Sequence, residues 1–276
     1  MEIGMNMLKV SSRLSVFRRV KFKLKRSHLQ AIYISFIRPL MEYGDIVWNN
    51  IPDYLKQSLE SLQLEGARIV TGATKLTSKQ LLYDETGCEM LQTRRNNHKL
   101  IKFYEMFHKD APDYLNSLVP PQISETHQHN TRRSNNTVYL NCRTFYYQNS
   151  FLPSSIKLWN NIPNDIRLNS SKYCFKRFLN RNLDKKSYYF NFGSRKEQII
   201  FARIHLKCSS LKDHLFQKNI IDSGLCTCGK IETTAHYLLH CPNYICIRNE
   251  TIQTLGSIDV QFLAHLAIGH VSFCHG

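Results

Sequence analysis

Three cysteines and one histidine are the residues of this chain whose types and spacing most clearly predict chemistry. They are separated by one, seven and four residues, and they are Cys226, Cys228, His236 and Cys241. Three thiolates and one imidazole complete the four-ligand shell of Zn²⁺, which leaves no coordination position for a substrate or an activated water. The pattern therefore predicts a structural zinc site that folds and shapes a small module.

Neighbouring residues offer alternatives to this ligand set. His240 and Cys246 lie close enough in the sequence to replace one of the four ligands, and the first pair is spaced C-x-C. Gly229 permits a tight turn, and the Thr233 hydroxyl is a candidate N-cap for a short helix that carries His236. The competing interpretation is that the cysteines are small buried hydrophobic residues. Four donors within 16 residues favour the metal.

A large excess of positive charge is the second chemical feature. The 276 residues contain 37 Lys and Arg against 21 Asp and Glu, which gives a formal net charge of +16. This balance favours a nucleic-acid phosphate backbone or another acidic partner as the molecule that the chain binds, and makes a pocket for an acidic small molecule a weaker hypothesis. The candidate phosphate contacts are Arg18, Arg19, Lys21, Lys23, Arg26, Arg94, Arg95, Arg132 and Arg133. No base-reading motif is visible, so we expect weak sequence preference and strong salt dependence.

Aromatic residues are interleaved with several basic segments. Phe17 and Phe22 lie among the N-terminal cations, and Tyr146 and Tyr147 follow Arg143. Aromatic faces can stack on unpaired bases beside cations that neutralise phosphates. Such rings are more often buried in a core, which is the competing interpretation for most of them.

The composition is typical of an intracellular globular protein, nuclear or cytoplasmic. Apolar residues make up 42% of the chain, and nine scattered cysteines do not form the even spacing of a secreted disulfide scaffold. No stretch approaches 18 uninterrupted apolar residues, so we expect no membrane partner. The first 26 residues carry eight cations and one acid. They fit a nucleic-acid-binding arm, a solvated helix face or a mitochondrial presequence.

Apolar spacing predicts a mainly α fold with a few short strands. Helices are expected from Ser27 to a stop or bend at Pro39, from Asp53 to Gly72, from Thr93 to Lys109, and at 154–159, 171–182, 195–207 and 244–256. Short strands are expected at 138–140 and 144–147, and Trp48 and Trp159 are expected to anchor the packing. We predict five segments: a basic N-terminal arm (1–26), a helical region (27–119), a polar linker (120–136), a mixed α/β connector (137–190) and a zinc-binding C-terminal region (191–276).

Several short sequence segments occur in an order and at separations that resemble those of a known protein family. They are Phe36–Trp48, Leu62–Gly72, Leu81–Gly87 with Arg94 and Arg95, Ala111–Leu115, Ser150–Pro163 and the Cys/His block. In this order and separation they resemble the C-terminal part, beyond the palm, of reverse transcriptases from jockey-like non-LTR retrotransposons. The resemblance covers nearly the whole chain. It implies a thumb-like region at 27–119 that grips RNA or an RNA–DNA duplex, followed by the zinc-binding segment.

The resemblance does not extend to polymerase chemistry. Polymerisation needs paired aspartates that hold two metal ions, and the chain contains no Asp-Asp dipeptide. We therefore expect no catalytic residues, and a zinc-binding, nucleic-acid-binding remnant of such an enzyme. One alternative is that the chain is the C-terminal fragment of a longer gene product with RNA-directed DNA polymerase activity, or that another protein supplies its missing palm. The other is a protein-interaction module organised by zinc.

Overall fold

The computed structural model describes residues 2–126, 133–169, 171–180, 193–246 and 249, and this part of the chain is mostly helical. Its α-helices, numbered in chain order, are α1 Glu2–Val20, α2 Arg26–Ile32, α3 Arg38–Glu42, α4 Asp45–Trp48, α5 Asp53–Thr71, α6 Lys79–Thr86, α7 Leu91–Phe107, α8 Asp113–Asn116, α9 Ile123–Thr126, α10 Phe145–Gln148, α11 Phe151–Asn160, α12 Asn164–Asn169, α13 Lys172–Leu179, α14 Arg195–His205 and α15 Lys212–Phe216. None of these helices combines the length and the apolar character needed to cross a bilayer.

The chain divides into two compact units that are both discontinuous in sequence. Unit 1 consists of Met1–Leu14, Ile34–Gln63 and Gly87–Lys185, and unit 2 of Ser15–Tyr33, Leu64–Thr86 and Lys186–Gly276. Helices α1 and α5 therefore each contribute residues to both units. In α1, the buried residues Val10, Leu14 and Phe17 recur at helical spacing, so the basic N-terminal segment has an apolar face.

Helix α5 forms where its apolar spacing predicts it. Leu59, Ala67 and Val70 are buried on one face of the helix. The helix ends before Gly72, whose φ of +79° is a left-handed conformation that glycine adopts without steric cost. The predicted helix from Asp53 to Gly72 is confirmed.

The predicted helix from Ser27 does not stop at Pro39. After α2 the chain widens into a π-helical segment, Tyr33–Ile37, and then continues as α3. Tyr33 and Ile37 are buried, so the apolar face runs through the wide segment. Pro39 occupies one of the first two positions of α3, where its missing N–H has no intrahelical role.

An aromatic cluster forms the core of unit 1. Trp159 of α11 is fully buried, and its ring centroid lies 5.3 Å from that of Phe103 and 5.7 Å from that of Phe175. Tyr104 stacks on Phe175 at 4.7 Å. Helix α7 supplies Phe103 and Tyr104 from nearly the predicted bounds, Leu91–Phe107. The role of Trp159 as a packing anchor is confirmed.

The predicted short strands are wrong. The described ranges contain no β-strand. They contain two isolated antiparallel bridges, Gln122–Thr137 and Leu225–Ile231. Residues 145–148 instead form α10, because the Thr144 hydroxyl accepts a hydrogen bond from the Tyr147 N–H at 3.2 Å and caps the turn. Aromatic content alone does not make a strand when no neighbouring strand pairs with its backbone. Most of the helix expected at 244–256 lies outside the described residues.

Candidate functional site

The four predicted metal ligands lie on a short loop of unit 2 and on the helical turn that follows it. Leu225 and Ile231 pair in an antiparallel bridge, and the Cys226 N–H donates to the Lys230 carbonyl at 2.7 Å. Gly229 reverses the chain with a φ of +84°. This turn places Cys226 and Cys228 on one loop. We call residues 225–241 the zinc loop, after the metal that the sequence pattern predicts for it.

Helix capping orients the histidine of the zinc loop. The Thr233 hydroxyl accepts a hydrogen bond from the His236 N–H at 3.1 Å, as predicted from the sequence. The turn His236–His240 is π-helical, and the Cys241 N–H donates to the His236 carbonyl at 2.7 Å. The backbone therefore fixes the last two ligands relative to each other.

The ligand atoms converge to separations near those of a tetrahedral zinc site. The four atoms lie within 4.8 Å of one another. The Cys241 sulfur lies 3.6 Å from that of Cys226 and 3.9 Å from that of Cys228, and tetrahedral zinc with ligands at 2.3 Å places sulfurs about 3.8 Å apart. His236 Nε2 lies 3.1 Å from the Cys228 sulfur, slightly less than the about 3.6 Å expected in the same geometry. This donor set fits zinc.

The two alternative ligands are not part of this cluster. Cys246 and His240 are both exposed, whereas Cys226, His236 and Cys241 are buried. Among the described residues, the structure therefore brings together the four donors first selected by spacing.

The thiols of the zinc loop differ in how readily they ionise. A hydrogen bond from the Cys228 backbone N–H lowers the pKa of the Cys226 thiol to about 6, although burial opposes it. Burial raises the pKa of the Cys241 thiol above its ordinary value. Because zinc binds thiolates, metal binding has to displace a proton from Cys241 at neutral pH.

Two residues that the sequence did not single out attach the zinc loop to α15. A Glu232 carboxylate oxygen accepts a hydrogen bond from the Lys212 N–H, at the start of that helix, at 2.8 Å. His214 is buried between the Ser209 hydroxyl at 2.8 Å and the Thr234 hydroxyl at 3.3 Å, and burial lowers its pKa. An isolated histidine and glutamate carry no motif, so only the folded chain reveals this contact.

Unit 2 also contains an open groove of about 230 Å³ with a strong excess of positive charge. One carboxylate, Glu65, lines it together with six cations: Arg18, Lys21, Arg68, Lys75, Arg195 and Arg203. We call it the basic groove. Arg18 and Lys21 were predicted as phosphate contacts, whereas the other four cations come from segments that showed no basic run.

Two arginines of α14 form the frame of the basic groove. The Arg195 guanidinium donates to the carbonyls of Lys21, Ile69 and Val70, each at 2.8 Å. Arg203 Nε donates to the Gly72 carbonyl at 2.9 Å. Burial, followed by repulsion from a neighbouring arginine, lowers the pKa of Arg195 to about 10, so it remains charged at neutral pH. These cations neutralise the negative end of α5 and hold the groove in shape.

The remaining predicted phosphate contacts fall into three groups. The exposed ones are Arg19, Lys23 and Arg133, and Arg132 lies outside the described residues. Three others make internal contacts: the side chain of Arg26 is fully buried against Glu85, that of Arg94 pairs with Glu42, and that of Arg95 is buried 5.1 Å from the ring centroid of Trp48. We leave Arg26, Arg94 and Arg95 out of the proposed contact surface.

No protein-family model matches the chain, and neither a curated protein nor a solved structure matches it. The chemistry of the zinc loop and of the basic groove therefore carries the functional argument.

Proposed function

We propose that this chain is a non-catalytic nucleic-acid-binding protein with a zinc-organised module, related to the C-terminal part of a retrotransposon reverse transcriptase. The observation that carries the proposal is the basic groove, in which six cations stand against one carboxylate. Such a surface suits the phosphates of RNA or of an RNA–DNA duplex, and it would bind with little preference for sequence.

Within the basic groove the cations have different tasks. Arg195 and Arg203 are committed to backbone carbonyls and keep the groove in shape. Arg18 forms an ion pair with Glu65 at 3.0 Å, and its side chain is half exposed, so a phosphate can compete for it. Lys75 is exposed, and the partly buried Arg68 lines the groove without an ion pair among the described residues. We propose Arg68 and Lys75 as the main phosphate contacts.

The zinc loop would organise its own module rather than react with a ligand. Cys226, Cys228, His236 and Cys241 would hold zinc, which when bound cross-links the loop to its helical turn. Glu232 and His214 then connect the loop to α15. All four ligand positions are filled by protein, so the role we propose for zinc is structural.

Metal content tests the zinc half of the proposal. We expect the purified full chain to carry about one zinc ion, because the site supplies one complete ligand set. Cys228→Ser should lose the metal. The matched control is Cys174→Ser, which changes an exposed cysteine of α13 outside the cluster and should retain it. A parent chain without zinc, or equal zinc in both variants, would contradict the assignment.

Salt-titrated binding tests the nucleic-acid half. We expect an RNA–DNA duplex to bind with an affinity that falls steeply with salt, and Arg68→Gln with Lys75→Gln should reduce the salt slope by about 2. The matched control is Lys79→Gln, a nearby exposed lysine outside the groove. No salt-dependent binding by the parent chain would overturn the proposal and favour a protein-interaction module.

A further inference from the structure

Unit 1 contains a second groove that the proposed function does not use. Its volume is about 670 Å³, within the range of pockets that hold small organic ligands. Six side-chain amides line it: Asn49, Asn50, Gln92, Asn96, Gln148 and Asn149. We call it the amide groove. Side-chain amides offer both donors and acceptors, which is the chemistry of base edges.

Three lysines give the amide groove a positive charge. Lys56, Lys99 and Lys157 line it together with one carboxylate, that of Asp53. Lys56 Nζ lies 2.9 Å from the Asp53 carboxylate and pairs with it. The other two lysines have no ion pair within the described residues. The amide groove therefore has cations to offer an anionic ligand.

Lys99 marks the point where an anion would be held most strongly. Its side chain is buried, and its ammonium donates to the Ser154 hydroxyl at 2.7 Å. Burial, reinforced by repulsion from Lys56, lowers the pKa of Lys99 to about 8. A phosphate beside this ammonium would stabilise its charged form.

The pair of Lys99 and Ser154 is built for binding rather than for nucleophilic attack. The Ser154 hydroxyl donates to the carbonyl of Ser150 in its own helix at 2.6 Å, so its proton is not directed at a base. Lys99 is mostly protonated at neutral pH and therefore acts as a donor to Ser154. The geometry lacks the free base that activates a serine.

Two exposed aromatic rings lie at the edge of the amide groove. Phe145 and Tyr146 are 73% and 75% exposed on the single turn of α10. The turn is capped by Thr144, and the Asn50 side-chain amide donates to the Tyr146 carbonyl at 2.8 Å. These contacts hold both rings at the groove and leave their faces open for stacking on bases.

Two amides of the groove have unused hydrogen-bonding capacity. Asn49 is 8% exposed, and its side-chain oxygen has no partner within the described parts of the chain. The side-chain oxygen of Gln92 is also buried and without a partner there. A buried polar atom without a partner is costly, and the exocyclic amino group of a base would satisfy it.

We propose that the amide groove binds an unpaired stretch of nucleic acid. Phe145 and Tyr146 stack on the bases, Asn49 and Gln92 accept from their edges, and Lys99 holds a phosphate. The inference rests on the proposed function, because it assumes that the chain binds nucleic acid. It goes beyond that function by assigning to unit 1 the recognition of single strands, whereas the basic groove offers mainly phosphate contacts.

The test compares single-stranded with duplex probes on the full chain. A labelled oligocytidylate of about 12 nucleotides, whose bases carry the exocyclic amino group that the proposal requires, and an RNA–DNA duplex of similar length are titrated by fluorescence anisotropy. Phe145→Ala with Tyr146→Ala should weaken single-strand binding about tenfold or more and change duplex binding by less than about twofold. The matched control, Tyr173→Ala, removes a tyrosine that is 73% exposed on α13 and should change neither affinity.

A second measurement locates the contact directly. An oligonucleotide that contains 4-thiouridine should crosslink to a peptide containing residues 145–149, and the crosslink should be lost in the double variant. Single-strand binding unchanged by the double variant, or single-strand and duplex binding weakened equally, would overturn the inference while leaving nucleic-acid binding in place. A parent chain that binds neither probe would overturn the proposed function as well.

Discussion

The zinc loop and the basic groove belong to the same unit, but their functional side chains are assembled over very different distances along the chain. The four donors of the zinc loop lie within 16 consecutive residues, and local backbone hydrogen bonds orient them. The basic groove takes cations from positions 18 to 203, and Arg195 reaches carbonyls 125 and 126 residues away. The first site depends on a local turn, and the second exists only when unit 2 is folded.

This difference predicts that the two regions respond to different changes. Metal removal should open the zinc loop, because its cross-link is local. The carbonyl contacts of Arg195 and Arg203 do not involve the metal ligands, so the basic groove should persist. Substitutions in α14 should disturb the basic groove and leave the zinc loop intact.

Chelation should give the largest effect. We expect a chelator to make the three thiols of the loop reactive, because the proposed zinc would shield Cys226 and Cys241 in addition to their burial. Mass spectrometry after thiol labelling counts them, and the exposed Cys174 should label with or without chelator as the internal control. Duplex binding should weaken by less than about threefold, since the metal makes no phosphate contact in our proposal. Complete loss of duplex binding on chelation would show that the two regions form one cooperative structure.

Arg195→Met tests the frame of the basic groove. We expect it to lower the free energy of unfolding by about 2 to 4 kcal/mol, because three carbonyls lose a charged donor in a buried site. Urea unfolding followed by circular dichroism measures the change. Arg203→Lys, which alters a single carbonyl contact, should cost clearly less. Zinc content should remain near one per chain, and loss of the metal in Arg195→Met would contradict the separation of the two regions.

Two glycines with left-handed backbone conformations allow a further comparison of the basic groove with the zinc loop. Gly72, beside the basic groove, has a φ of +79°, and a Cβ there would lie 2.5 Å from the Ile199 side chain. Gly229, in the zinc loop, has a φ of +84°, and a Cβ there would meet nothing within 4 Å. Both alanine variants should lose about 1 kcal/mol from the left-handed conformation, and Gly72→Ala should lose about 1 to 3 kcal/mol more from the clash. Equal losses in urea unfolding would mean that Ile199 moves aside freely.

The zinc loop was the part of the molecule whose geometry the sequence predicted most completely. Its donors are close in the chain, so their spacing constrains their geometry, and the Thr233 cap acts within three residues of its target. Helix α5 could be predicted for a similar reason, since helical hydrogen bonds and the apolar repeat are local. The strand predicted at 144–147 failed because a strand depends on a partner strand that no local pattern supplies.

The charged residues show why the rest could not be predicted. Arg26 and Arg18 look alike in a basic run, yet Arg26 is buried because Glu85, 59 residues later, pairs with it. Arg195 and Arg203 lie outside any basic run and frame the groove through backbone carbonyls. The number of positive charges is a property of the sequence, whereas their exposure depends on distant partners.

A smaller effect should distinguish the attachment of the zinc loop from its metal site. Burial holds the pKa of His214 below its ordinary value of about 6.5, so the folded state favours the neutral imidazole. Its stabilising contribution is complete above that value and decreases as the pH falls below it, because protonation then favours the unfolded or undocked form. Protection factors from hydrogen exchange at residues 212–216 and 233–236, which correct for the slower base-catalysed intrinsic exchange at low pH, should therefore decrease from pH 7.5 to 5.5, a window chosen around that ordinary value.

His214→Gln separates this titration from that of the zinc ligands. Glutamine offers a donor and an acceptor to the Ser209 and Thr234 hydroxyls but does not titrate. The protection factors at 212–216 should depend less on pH in the variant than in the parent, at equal zinc content measured on the same samples. The pH dependence of metal binding itself acts equally in both chains, so it cancels in the comparison. An identical pH dependence in the two chains would mean that acid acts through the metal site, and that the zinc loop and its attachment to α15 open as one unit.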